Sequence, residues 1–169
     1  MPARVYRGRV SIEGGSGDRV RALGSELRRL HDRIRDVLED AREGLDPVLG
    51  ATALGEDVAV RCRAVCTTLD AHHRDEDSAL FPWLRRERPD LDEVIGRLEQ
   101  DHSMIGTLLA GLDRVLREGA GADVVLRHLE GVDAIMESHF RYEERVLVPI
   151  LDAEEGSGPA LPQRFWSVQ

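Results

Sequence analysis

The 169-residue sequence contains no lysine. Its 23 basic residues are all arginine and stand against 32 aspartates and glutamates, for a formal net charge of −9. That balance argues against nucleic-acid binding, which rests on clustered positive charge. Aromatic residues are scarce, at 4%, so leucine, valine and alanine carry the apolar content, a mix that favours helices over a β-sandwich or barrel. The only cysteines, Cys62 and Cys66, stand four apart in a helical pattern. They cannot form the framework of a disulfide-built secreted domain, and a reducing cytoplasm is the expected location. Long apolar runs are missing too: stretches such as 146–151 fall far short of the ~20 residues of a membrane helix. The N-terminal stretch MPARVYRGRVSIEGG lacks the apolar core of a secretory signal.

At 41% hydrophobic and 33% charged residues, the chain has enough apolar content for one packed domain. Residues 1–18 read as an N-terminal arm that ends in a Gly-rich stretch, with Asp18 as a helix N-cap. Four segments with helical periodicity follow, near 19–43, 55–87, after Pro89-Asp90 to about 118, and 122–154. Their apolar stripes include Leu27, Leu30, Ile34 and Leu38 in the first and Cys62, Val65, Leu69 and Leu80 in the second. Ile95, Leu98, Ile105 and Leu109 mark the third, and Val125, Val132, Ile135, Met136 and Leu147 the fourth. Long amphipathic helices with short connections predict an all-α fold, an antiparallel up-down four-helix bundle spanning 19–154. Residues 155–169 form a C-terminal tail whose Phe165-Trp166 is expected to fold back onto the bundle.

The chain also repeats itself. HHRDEDSALFPWL (72–84) aligns without gaps to HFRYEERVLVPIL (139–151), with His72/His139, Glu76/Glu143, Leu80/Leu147 and Pro82/Pro149 among the identical pairs. Upstream, His31-x-x-Ile34 corresponds to His102-x-x-Ile105. Each helix hairpin therefore reads as one copy of a unit, giving the bundle an internal two-fold repeat. A proline inside a helix frees a carbonyl and bends the chain, so kinks are expected at Pro82 and Pro149.

Four of the six histidines fall on core-facing stripes: His31, His72, His102 and His139. His72 and Glu76, like His139 and Glu143, are four residues apart and project to one side of their helix. Counted from the helix starts, the four histidines can share one height in an antiparallel bundle. Single core histidines are usually hydrogen-bonded, and single His/Glu pairs at this spacing usually lie on the surface. Four histidines in register with two carboxylates are hard to satisfy that way, because buried carboxylates lose solvation. A pair of divalent metal ions would satisfy them. Mixed imidazole and carboxylate donors suit iron, manganese or zinc, and carboxylates between two histidine pairs favour a dinuclear centre. The Glu-x-x-His motif of ferritin-like di-iron proteins occurs only once, at Glu99 to His102, so that family fits poorly.

The order His31, His72-x-x-x-Glu76, His102, His139-x-x-x-Glu143, with LFP and LVP after the glutamates, resembles the hemerythrin family's HHE cation-binding domain over roughly 19–154. The resemblance implies a non-haem di-iron centre of two iron ions, oxo- or hydroxo-bridged, that handles dioxygen, peroxide or nitric oxide. Carried over by position, His31, His72, His102 and His139 are terminal ligands, and Glu76 and Glu143 bridge. Oxygen-carrying hemerythrins place a second histidine four residues after the one in the third helix. Here that position is Gly106, which counts against reversible oxygen transport. Gly106 could leave space for a diatomic ligand or water, or it could serve close helix packing, as Gly96 and Gly111 in the same helix could.

His73 aligns with Phe140 and reads as flanking, and His128 reads as a bundle-end residue. Asp32 and Asp101 adjoin ligand histidines and read either as imidazole acceptors or as solvated surface. Cys62 and Cys66 read as buried free thiols, with a redox role as the alternative. Nothing places Tyr6 or Tyr142. The expected function is binding or reduction of small oxidants, in detoxification or sensing, with peroxidase- or catalase-like activity one form of it. Peroxide or small diatomic molecules are the expected partners, with no nucleic acid and no membrane. The alternatives are an iron-responsive binding module, a di-iron oxidase of an organic substrate, and an interaction bundle without metal.

Overall fold

The computed structural model describes residues 16–45 and 55–153, with side chains from residue 23 onward. The N-terminal arm up to residue 15, the loop at 46–54 and the tail from 154, with Tyr6 and Phe165-Trp166, lie outside the described residues. The described residues are helical apart from short turns, with no strand among them. Helix α1 spans Ser16–Glu43, α2 Glu56–Asp75, α3 Phe81–Glu87, α4 Asp92–Arg117 and α5 Ala122–Ala153. A π-helical turn over Glu76–Leu80 joins α2 to α3, and a 3-10 turn over Pro89–Leu91 leads into α4. Because α1 begins at Ser16, Asp18 lies inside the helix rather than at its N-cap. The second sequence segment, near 55–87, corresponds to α2, the π turn and α3 together.

The two duplicated prolines have different outcomes. Pro82 sits in the first turn of α3, directly after the π turn. The wider turn carries the Phe81 N–H to the Glu76 carbonyl, so the missing proline donor falls where a new helical segment begins. Helix α5 runs on through Pro149. At the end of α4, Gly119 has φ 68°. There the Ala120 N–H reaches the Val115 carbonyl at 3.0 Å and the Gly119 N–H reaches Leu116 at 3.3 Å. This crossed pair satisfies the last carbonyls of the helix and needs a left-handed residue at the glycine position.

The four long helices pack in a ring, α1 against α2 and α5, and α4 against the same two. Their apolar stripes meet at the centre. Leu27, Ile34 and Leu38 of α1, Val65 and Leu69 of α2, Ile95, Leu98 and Ile105 of α4, and Val125, Leu129, Val132 and Met136 of α5 are all buried. Ile135 departs from the predicted stripe and is exposed, because Met136 takes the core-facing position beside it. Contacts between α1 and α5 run in opposite order along the two helices: Arg42 meets Asp133, Arg35 meets Glu137, and His31 meets Glu144. No described helix is long and apolar enough to cross a membrane.

Candidate metal centre

Halfway along the bundle the apolar core gives way to a polar cluster. His31 comes from α1, His72 and His73 from the end of α2, and Glu76 from the start of the π turn. His102 comes from α4, and His139 and Glu143 from α5. All are buried, Glu76 and Glu143 completely. Each residue four after a histidine lies one turn further along the same face, so the His-x-x-x-Glu spacing delivers both members to the axis.

Two groups of potential ligand atoms form. In one, His31, His72, Glu76 and Glu143 bring a donor atom each within 4.8 Å of the others, and in the second His73, His102 and His139 do the same. The carboxylates join the groups. Glu76 Oε1 lies 3.4 Å from His72 Nε2, and its Oε2 lies 3.5 Å from His102 Nε2. Glu143 Oε2 lies 3.4 Å from His31 Nε2 and 3.7 Å from His139 Nε2. Each glutamate thus stands between one imidazole of either group.

The imidazoles are aimed from behind. His31 Nδ1 lies 2.9 Å from Glu144 Oε1, which also meets Arg35 at 3.1 Å. His102 Nδ1 lies 2.8 Å from Asp77 Oδ1. An Nδ1–H that donates to a carboxylate fixes the tautomer and leaves the Nε2 lone pair facing the cluster, the arrangement that orients metal-binding histidines. Asp101 stands 3.7 Å from His139 Nδ1, beyond hydrogen-bond distance, and Asp32 instead pairs with Arg35 on the surface. Sequence reasoning missed Asp77 and Glu144. The signal was present, since each directly follows the glutamate of its repeat.

The electrostatics are those of a site short of positive charge. Burial, with Glu143 alongside, pushes the Glu76 carboxyl well above its usual range. Burial acts the same way on Glu143, but His31, His139 and His102 outweigh it and hold that carboxyl below its usual range. Burial and the neighbouring rings push His72 and His73 well below the usual imidazole range, which favours their neutral forms. Burial also lowers His31, yet Glu143 and Glu144 more than compensate and raise it.

Both oxygens of Glu76, both oxygens of Glu143, His31 Nε2 and His73 Nε2 are buried without a hydrogen bond. Each such atom costs roughly 1–3 kcal/mol unless something satisfies it. His102 Nε2 and His139 Nε2 lie 3.2 Å apart, close to the roughly 3 Å between two nitrogens bound to one ion at ~2.1 Å with near-perpendicular bonds. The donor set therefore fits metal cations.

Gly106 lies one turn beyond His102 on α4. A Cβ built there meets nothing within 4 Å, and the same holds at Gly96, so close helix packing does not explain either glycine. Gly106 instead borders a cavity of about 290 Å³ that reaches His73 and His102, with Asp70, Asp77 and Glu99 along its sides. A Cβ built at Gly111 would stand 3.5 Å from the His128 ring, and His128 belongs to neither donor group. A larger groove of about 850 Å³ runs over the α1–α5 face beside Arg35 and Glu137, and Tyr142 lines that groove rather than the histidine cluster. Cys62 and Cys66 are free thiols outside both groups. Burial raises both, Cys66 to about 11 with help from Asp113, so neither is a ready thiolate.

Residues 23–151 match the profile of the Hemerythrin HHE cation binding domain. No curated protein and no solved structure gives a significant match.

Proposed function

This chain belongs to the hemerythrin HHE cation-binding family, and from that premise we propose that it holds two iron ions and uses them to bind or reduce small oxidants: peroxide, nitric oxide or dioxygen. One observation carries the reading. Two buried carboxylates each stand between an imidazole of one donor group and an imidazole of the other, Glu76 between His72 and His102, Glu143 between His31 and His139. His31, His72, His102 and His139 are the terminal ligands of this centre, and Glu76 and Glu143 bridge it. It sits in an antiparallel bundle of two duplicated hairpins, each repeat supplying one bridge and orienting a histidine of the other repeat through Asp77 or Glu144.

An iron pair supplies redox capacity and a Lewis-acidic site for a small ligand. The protein's own contribution is to hold the donors in place, to exclude bulk water with Leu69, Leu98 and Leu147, and to leave a cavity beside Gly106 that reaches His73 and His102. At about 290 Å³ that cavity lies at the lower limit of pockets for drug-sized molecules, which favours a small oxidant over an organic substrate. Cys62 and Cys66, both free thiols, suit a reducing cytoplasm, the location that belongs to this proposal.

Anaerobic reconstitution with ferrous iron, followed by optical titration with oxygen, peroxide and nitric oxide, tests the proposal. New charge-transfer bands with at least one of the three are expected. Iron-loaded protein whose spectrum none of them changes would reduce the chain to an iron-binding module.

A further inference from the structure

Phe140 and His73 occupy equivalent places in the duplicated segments, and their surroundings show the same correspondence. The Phe140 ring stacks on His31, with centroids 3.9 Å apart and planes at 13°. The His73 ring stacks on His102, at 4.1 Å and 18°. The frame thus asks for a flat ring beside each of these histidines, and phenylalanine meets that need without a polar atom. On one side the chain instead buries an imidazole whose Nε2 has no hydrogen bond, at a cost a purely packing role would avoid.

That nitrogen lies where a donor is short. His102 and His139 form the poorer group without it, and the α4 position one turn beyond His102 is Gly106, which brings no side chain. His73 reaches the same group from α2, with a donor atom within 4.8 Å of those of His102 and His139. Stacked rings cannot both keep one ion in their planes, so ligation requires the His73 ring to turn about its Cβ–Cγ bond. The cavity bounded by His73 and Gly106 gives it room.

We infer that His73 is a metal ligand, completing the His102/His139 ion from α2 in place of a side chain at position 106. The inference rests on the two-ion reading above. It makes the centre unequal, with three imidazoles on one ion and two, His31 and His72, on the other.

The test compares the wild-type full chain with His73→Phe, which keeps the flat ring and removes the nitrogen. Both are titrated anaerobically with ferrous iron and examined by Mössbauer spectroscopy. The wild type should bind two irons with two distinct quadrupole doublets. His73→Phe should bind one iron as before and the second about tenfold more weakly or worse, a loss at least equal to that from removing an outer partner of a ligand. Should His73→Phe fail to fold by circular dichroism, His73→Leu is read by the same criteria. Two irons bound with unchanged affinities and unchanged doublets in the folded variant would overturn the inference. A wild type that never binds more than one iron would instead overturn the two-ion reading beneath it.

Discussion

At the scale of single residues, bridging and terminal donors should fail differently. Glu143 faces both His31 and His139, whereas His31 belongs to one donor group. Glu143→Ala should lower iron occupancy at both positions and leave two cations facing each other unscreened. His31→Ala should weaken one ion and leave a mononuclear spectrum. Loss of both metals in His31→Ala, with a coupled pair retained in Glu143→Ala, would reverse these roles. Asp77 and Glu144 act one layer out, so Asp77→Asn and Glu144→Gln should each weaken iron binding about 10–100-fold, read by competition with a chelator. The sequence made the convergence of six side chains legible, because a His-x-x-x-Glu spacing fixes the face and the duplication fixes the level. It hid the outer carboxylates, since whether Asp77 or Asp101 meets an imidazole depends on the rotation of two helices about their axes. His73 was hidden for a related reason: its position a third of a turn from His72 reads as flanking until α4 is packed against it.

At the scale of elements, helix boundaries and core stripes followed the 3.6-residue period closely, and α4 ends on the left-handed Gly119 just past the predicted end near 118. The response to proline was not legible. Identical Leu-x-Pro contexts gave a π turn before Pro82 and continuous helix through Pro149, so the outcome depends on more than the local sequence. Glycines show the same dependence. A Cβ at Gly24 of α1 would collide with the Asp152 carboxylate and stand 3.0 Å from Val148 Cγ1 of α5, while Gly96 has open space. In metal-free protein Gly24→Ala should therefore lower stability by about 1–3 kcal/mol. Gly96→Ala should raise it by roughly 0.5–1 kcal/mol, by removing backbone freedom from the unfolded chain. Denaturant unfolding of the two variants checks the sign. Equal shifts would show that the α1–α5 contact is looser than described.

At the scale of the whole molecule, a bundle with a well-packed apolar core at both ends carries an unsatisfied polar cluster at its middle, and the two are linked. The flanking leucines exclude water, and that exclusion is what makes each orphaned carboxylate oxygen costly and each metal–ligand bond valuable. Metal binding should consequently stabilise the fold, as it does wherever a site exists only in the folded chain. The central claim is that Glu76 and Glu143 hold two ions together rather than one ion beside an acidic neighbour. Mössbauer spectra of the ⁵⁷Fe-loaded, oxidised protein in an applied field, taken with its iron-to-protein ratio, test it most directly. The account predicts about two irons per chain with a diamagnetic ground state from strong coupling; a single iron per chain, or two that behave as magnetically isolated ions, would contradict it.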